Sequence, residues 1–145
     1  MSLDDLYREV ILDHYRSPRN KHGLDGSDID VHRNNPLCGD DITVHAQVRD
    51  GVVVDAAFEG QGCSISQASA SMLTDYIKGK PMAEIEELVL RFRRMMAGET
   101  EGVDEETLGD LVALKGVVKY PVRIKCAVLS WDALQEGLSS FEPSA

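Results

Sequence analysis

The stretch ITVHAQVRDGVVVDAAF, residues 42–58, decides the fold of this chain. Apolar and polar side chains alternate through residues 42–48, which is the period of a strand with one buried face. Asp50 and Gly51 form a strong signal for a tight turn, and residues 52–58 supply the returning strand. The sequence therefore predicts an antiparallel hairpin that brings Cys38 and Gly60 to the same end.

Helical patterns flank this hairpin on both sides. Apolar residues recur at helical spacing in four segments: 3–14, 65–77, 82–96 and 121–137. Pro121 is expected at the start of the last helix, and Gly137 is expected to end it.

Three further segments have weaker or different sequence patterns. Residues 29–33 are a short candidate first strand, and residues 111–114 indicate a helical turn. Residues 98–110 are acidic and contain no Lys or Arg, which predicts an exposed, mobile loop. The expected fold is α+β, with a small antiparallel sheet of about three strands and helices packed on one face and at one end. More residues should lie in helices than in strands.

Size and charge limit the function. The 145 residues, 43% of them hydrophobic, suit one domain spanning 1–145. No apolar run has the length of a membrane span, and the acidic residues 1–5 do not resemble a secretory signal. A cytoplasmic protein without a membrane partner is expected. The net charge of −10 repels phosphate backbones, so nucleic acid is not an expected partner.

Three cysteines, Cys38, Cys63 and Cys126, are the candidate reactive groups. Their odd number and wide spacing argue against a disulfide framework. Cys63 and Cys126 fall in the first turns of predicted helices, where the helix dipole favours a thiolate. The spacing lacks the close pairs of a zinc finger, so three buried structural cysteines remain the alternative.

Asp40, two residues after Cys38, completes a possible ligand set. Three thiolates and one carboxylate can hold zinc, and a similar set could hold an iron–sulfur unit. The alternative for Asp40 is a turn cap, and Asp41 is the competing carboxylate. Such a site carries excess negative charge, for which Arg123 and Lys125 are the candidate neutralising neighbours.

Five motifs together resemble the U-type iron–sulfur assembly proteins, the family of IscU, the N-terminal part of NifU, and SufU. They are LYREVILDHY (6–15), SPRN (17–20), NPLCGD (35–40), GQGCSISQAS (60–69) and YPVRIKC (120–126). The chain resembles the SufU-like branch more than the IscU-like branch. It has Lys125 where IscU-like proteins carry a histidine, and residues 91–117 look like the insertion of SufU-like proteins.

The resemblance implies a SufE/NifU-like fold and a site that binds zinc. Carried over by position, the zinc ligands are Cys38, Asp40, Cys63 and Cys126. The implied function is a sulfurtransferase that accepts persulfide sulfur from a SufS-type cysteine desulfurase, with other Suf assembly proteins as further candidate partners.

Cys38 is the expected sulfur acceptor, and the resemblance points the same way. Its loop follows Asn34 and Asn35, expected to be mobile, whereas the other two cysteines are anchored to helices. Two alternatives stay open. One is an IscU-like scaffold that assembles a [2Fe–2S] cluster, or binds iron, on the same ligands; the other is a structural zinc domain without sulfur transfer.

Overall fold

A three-stranded antiparallel sheet organises the chain. The computed structural model describes residues 2–99 and 105–141, and in them the strand order is β1-β2-β3. The strands are β1 (Ile29–Asn35), β2 (Asp40–Arg49) and β3 (Val52–Gln61). Both neighbouring pairs are antiparallel, so two consecutive hairpins build the whole sheet.

The predicted hairpin is confirmed as β2 and β3. Asp50 and Gly51 join the two strands with φ of 52° and 76°, the left-handed conformations of a tight hairpin turn. Alternate residues of β2 are buried in the core: Ile42, Val44, Ala46 and Val48. The alternation in the sequence therefore reports the buried face correctly.

Five α-helices and one 3₁₀ helix lie in the described residues. They are α1 (Leu3–Arg16), α2 (Ser64–Ile77), α3 (Met82–Met96), α4 (Glu105–Leu108), the 3₁₀ helix Gly109–Lys119, and α5 (Pro121–Ser140). Ser2 caps the start of α1, since its Oγ accepts a hydrogen bond from Asp5 N at 3.2 Å. No helix in the part of the chain that the structure describes is long and apolar enough to cross a membrane.

Helices α2 and α5, which carry the second and third cysteines, are joined by buried hydrogen bonds. Trp131 Nε1 donates to Ser69 Oγ at 3.0 Å, and Ser69 Oγ donates to the Ala127 carbonyl at 2.5 Å. Because Ala127 directly follows Cys126, these bonds fix the position of Cys126 relative to α2.

The expectation that Gly137 ends the last helix was wrong. Gly137 is buried inside α5, which continues to Ser140. A Cβ at this position would lie 2.4 Å from Ile29 Cγ2 on β1. The glycine therefore allows α5 to approach the sheet closely, which is a packing role rather than a termination signal.

The expectation of a loop over 98–110 was also wrong for its described second half, although residues 106, 107, 109 and 110 are exposed as expected. Residues 100–104 lie outside the described residues, so mobility there remains only an expectation. From Glu105 onward the chain is helical, and a row of apolar residues is buried at every third position: Leu108, Leu111, Leu114 and Val117. A repeat of three matches the 3₁₀ helix, whose side chains eclipse at i and i+3.

Candidate metal centre

The turn between β1 and β2 carries Cys38. Asn35 and Asp40 pair across the two strands, so residues 36–39 form a short connection at the end of the sheet. Cys38 N donates to the Asn35 carbonyl at 3.3 Å, and Gly39 has φ of 69°. Cys38 is half-buried, whereas Cys126 is buried, so the turn leaves the first cysteine more accessible than the third.

Asp40 is the first residue of β2, not part of the preceding loop, and its side chain is only partly satisfied. Its Oδ1 accepts hydrogen bonds from Cys63 N at 3.0 Å and from Ser66 Oγ at 2.9 Å. Its Oδ2 is buried and has no hydrogen-bond partner among the described residues. A buried carboxylate oxygen without a partner is costly, so this atom fits a site for a cation.

Cys63 lies at the N-cap of α2, as predicted from the sequence. Gly62 precedes it at a close approach, since a Cβ on Gly62 would lie 2.4 Å from Asp40 Oδ1. The glycine therefore lets the chain pass directly beside the Asp40 carboxylate before α2 begins. This local packing brings the second cysteine to the same end of the sheet as Cys38.

Cys126 is fully buried in the second turn of α5. Its Sγ lies 3.9 Å from the Val122 carbonyl oxygen and 3.9 Å from Asn35 Nδ2. Burial raises the pKa of the Cys126 thiol, and its contacts with Cys38, Asp40 and Cys63 raise it further. A coordinated metal ion would reverse this preference, because a metal-bound thiol is deprotonated.

Three of the four predicted ligands come together. The sulfur atoms of Cys38 and Cys126 and a carboxylate oxygen of Asp40 all lie within 4.8 Å of one another. Cys63 falls outside this tight group, although a side-chain contact and its charge still act on Cys126. All three cysteines are free thiols, which agrees with the expected lack of a disulfide framework.

Arg123 supplies positive charge at this site. It is exposed, one turn of α5 before Cys126, and its pKa is raised by the charge of Cys63, by a hydrogen bond with Cys126, and by the charges of Cys126 and Cys38. Lys125, the other cation named from the sequence, is an exposed residue of α5. Arg123 therefore lies close enough for the charges of all three thiols to act on it.

Two contributing residues were missed by sequence reasoning. Ser66 holds one oxygen of Asp40, as described above, and its place in the helix after Cys63 was the available signal. Asn35 was expected to be mobile, and this was wrong. It ends β1, is 7% exposed, and uses its side chain to contact Cys126 and the Leu37 amide. Asn34 is exposed but also lies in β1, paired with Asp41.

No histidine belongs to the group of close ligand atoms among the described residues. His14 is buried between Ser71 Oγ at 2.8 Å and Asp110 Oδ2 at 3.3 Å. The His45 side chain is only 12% exposed, because Asp30 and Glu59 flank its ring.

Comparisons with known proteins agree with this geometry. The profile of the NifU-like N-terminal domain family matches residues 6–127. A Bacillus subtilis (strain 168) protein named zinc-dependent sulfurtransferase SufU is 52% identical over 97% of this chain and 95% of its own length. A Thermotoga maritima protein named iron–sulfur cluster assembly scaffold protein IscU is 41% identical, covering 94% of each chain.

A solved structure shows the same fold. It is a protein from Fervidobacterium islandicum AW-1 described as an iron–sulfur cluster assembly scaffold for the SUF system. The two chains superpose with a TM-score of 0.85 at 31% identity, over 94% of this chain and 99% of the other. The names of these relatives thus divide between sulfur transfer and cluster scaffolding.

Proposed function

The chain belongs to the NifU-like N-terminal domain family, and we propose that it is a zinc-dependent sulfur acceptor in iron–sulfur cluster assembly. In this role it takes persulfide sulfur from a SufS-type cysteine desulfurase. The relative with the zinc-dependent sulfurtransferase name is 52% identical over nearly the whole chain, which supports this choice.

One observation carries the proposal: Asp40 Oδ2 is buried without a hydrogen-bond partner among the described residues, beside two thiols. Thiolate sulfur favours zinc or iron–sulfur units over the hard cations magnesium and calcium. The residues that would hold zinc are Cys38, Asp40, Cys63 and Cys126. Cys63 supports the set because its backbone N–H already fixes the other Asp40 oxygen.

Cys38 is the proposed acceptor because it is the least anchored of the three thiols. A bound zinc ion would keep the coordinating thiols deprotonated at neutral pH. The Cys38 thiolate attacks the outer sulfur of the desulfurase persulfide, and a new sulfur–sulfur bond forms on Cys38. The desulfurase cysteine leaves as a thiolate, and the proton of the outer sulfur goes to solvent. Arg123 stabilises the negative charge during this exchange.

An exposed apolar surface beside the site supports a protein partner. Leu37, Tyr120 and Val122 are 72%, 61% and 58% exposed. Leu37 precedes Cys38 in the turn, and the Val122 carbonyl contacts Cys126. Exposed large apolar residues grouped near a functional site are typical of protein–protein contacts. A desulfurase that docks here would bring its persulfide to Cys38.

We also place this activity in the cytoplasm and in one domain spanning 1–145. Reduced thiols are needed for metal binding and for sulfur exchange, and the cytoplasm maintains them. One hydrophobic cluster runs through the described residues from β1 to α5, which supports a single domain.

The test is sulfur transfer from a purified cysteine desulfurase with its cysteine substrate. The wild type should raise desulfurase turnover and gain one sulfur atom on Cys38, located by peptide mass spectrometry without reductant. Cys38→Ser should do neither. Equal stimulation by Cys38→Ser, or sulfur located on Cys63 or Cys126 instead, would refute the assignment.

The second candidate is a scaffold that assembles a [2Fe–2S] cluster on the same residues, favoured by the relatives named as scaffolds. Metal analysis of protein purified without added iron separates the two functions. Stoichiometric zinc, with no stable visible absorbance after treatment with iron and sulfide, supports the sulfur acceptor. A stable coloured cluster supports the scaffold. Failure to bind or stimulate a desulfurase would leave a structural zinc domain.

A further inference from the structure

The side chain of Asn35 contacts both the Cys38 turn and the Cys126 thiol. Its Oδ1 accepts a hydrogen bond from Leu37 N at 3.3 Å, and its Nδ2 lies 3.9 Å from Cys126 Sγ. Its carbonyl oxygen also accepts from Cys38 N at 3.3 Å. Asn35 is thus bonded to the turn of residues 36–39 and, through Cys126, to helix α5.

An amide is well suited to this position. The nearly buried side chain needs a donor toward sulfur and an acceptor toward a backbone N–H, and an amide supplies both. A carboxylate would lose the donor and place a negative charge beside the thiols. An apolar residue would leave the Leu37 amide without its side-chain partner.

These contacts restrain the proposed acceptor. Cys126 is buried in α5, so it is the fixed end of the connection. The turn of residues 36–39 is the other end, and Asn35 holds it at both the Leu37 and Cys38 amides. In other proteins, residues that hydrogen-bond to the metal ligands orient those ligands and change the affinity for the metal.

We propose that Asn35 is a positioning residue that couples the buried Cys126 thiol to the Cys38 turn and limits how readily Cys38 leaves the metal. This inference rests on the proposed zinc-dependent function and deepens it. Loss of the side chain should free the Cys38 turn while the other ligands retain zinc.

The first test measures alkylation of Cys38 by iodoacetamide in zinc-loaded protein, followed by peptide mass spectrometry. Asn35→Ala should raise the Cys38 alkylation rate about fivefold, the factor expected for one net hydrogen bond. Asn34→Ala is the matched control, because Asn34 is the exposed neighbour on the same strand. It should react at the wild-type rate. An unchanged rate in Asn35→Ala, or an equal increase in Asn34→Ala, would overturn the proposal.

A second variant guards against general loss of structure. Asn35→Asp keeps an acceptor for Leu37 N but loses the donor toward Cys126. In cobalt-substituted protein it should shift the sulfur-to-cobalt charge-transfer band, and the Cys38 alkylation rate should lie between those of the wild type and Asn35→Ala, because one of the two contacts is lost. A wild-type cobalt spectrum together with a wild-type alkylation rate would refute the connection through Cys126.

These measurements need no desulfurase, so the two proposals fail separately. A wild type that holds zinc but accepts no persulfide defeats the proposed function alone. Equal alkylation rates in zinc-loaded wild type and Asn35→Ala defeat only the role of Asn35.

Discussion

Asp40 at the end of the sheet and His45 at its middle are both polar residues of β2, but their surroundings differ. His45 uses both ring nitrogens: Nδ1 meets Asp30 at 2.5 Å, and Nε2 meets Glu59 at 2.8 Å. Asp40 uses one oxygen and leaves the other buried without a partner among the described residues. A complete set of partners is typical of a structural group, whereas a buried oxygen without a partner, next to two thiols, fits a group that binds a metal.

The surroundings of His45 and Asp40 also differ in how their charges are screened or compensated. The His45 ring lies between two carboxylates that are half exposed, so water screens this group. The Asp40 carboxylate is 1% exposed and adjoins Cys38 and Cys126, which become negative when they bind a metal. Only the second arrangement offers a bound cation a matching set of ligands.

Metal removal is the strongest test of this contrast. Without zinc, Asp40 becomes a buried, uncompensated carboxylate, and ligands from three separate elements are no longer tied together. We expect chelation to lower stability by about 3 kcal/mol, or about 10 °C in Tm. Thermal unfolding with and without chelator measures this effect, with metal loss checked by elemental analysis.

Two variants should reproduce the effect of chelation. Cys63→Ser and Cys126→Ser should each give a Tm close to that of the chelated wild type, and chelator should change it little further. If metal loss is confirmed and the melting curve does not move, zinc contributes nothing to the fold and the contrast with His45 fails.

Replacement of Asp40 should affect metal binding more than folding. Asp40→Ala removes a proposed ligand but also relieves the buried charge, so the fold should persist. Zinc affinity, measured by competition with a chelator, should fall at least about tenfold, and sulfur acceptance should change more than stability does. The Asp41→Ala variant is the matched control, because Asp41 is the neighbouring residue and the competing candidate for the carboxylate ligand.

The alternative for Asp40 is a purely local cap. As a cap it would contribute about 1 kcal/mol to stability and nothing to metal affinity. Equal zinc affinity in Asp40→Ala and wild type would leave only that role. An equal loss in Asp41→Ala would show that general charge, rather than coordination, controls binding.

The sequence predicted those features whose signals are local. The alternation in β2 and the Asp50–Gly51 turn depend on neighbouring residues, so the hairpin and the shared end of Cys38 and Cys63 could be derived. The prediction for Gly137 was wrong because a glycine is needed there for close packing against Ile29, which is far away in the sequence. The roles of Ser66 and Asn35 likewise depend on contacts that appear only after folding.

In the acidic segment of residues 98–110, charge composition and apolar spacing favoured different structures. Charge composition favoured a loop through residue 110, yet Leu108 is fully buried. The apolar period of three residues was present in the sequence but matches neither an α-helix nor a strand. Gly109 then lies close under Tyr76, whose hydroxyl accepts a hydrogen bond from Asp110 N at 2.8 Å. The acidic composition of this segment predicted its exposed residues, whereas the spacing of its apolar residues predicted which side chains contact the core.

The smallest expected effect concerns pH and His45. Burial lowers the pKa of His45, but hydrogen bonds and charges from Asp30 and Glu59 outweigh burial and raise it above the ordinary value of 6.5. Because the folded-state pKa exceeds the unfolded one, the stabilisation is fully present below about pH 6.5 and is lost as pH rises through the folded pKa. With both carboxylates half exposed, we expect this stabilisation to be only about 0.5 kcal/mol.

The difference in unfolding free energy between wild type and His45→Gln should therefore shrink between about pH 6 and pH 8. A constant difference across this range would mean that His45 stabilises the sheet by packing, and that its two carboxylates add nothing as charges.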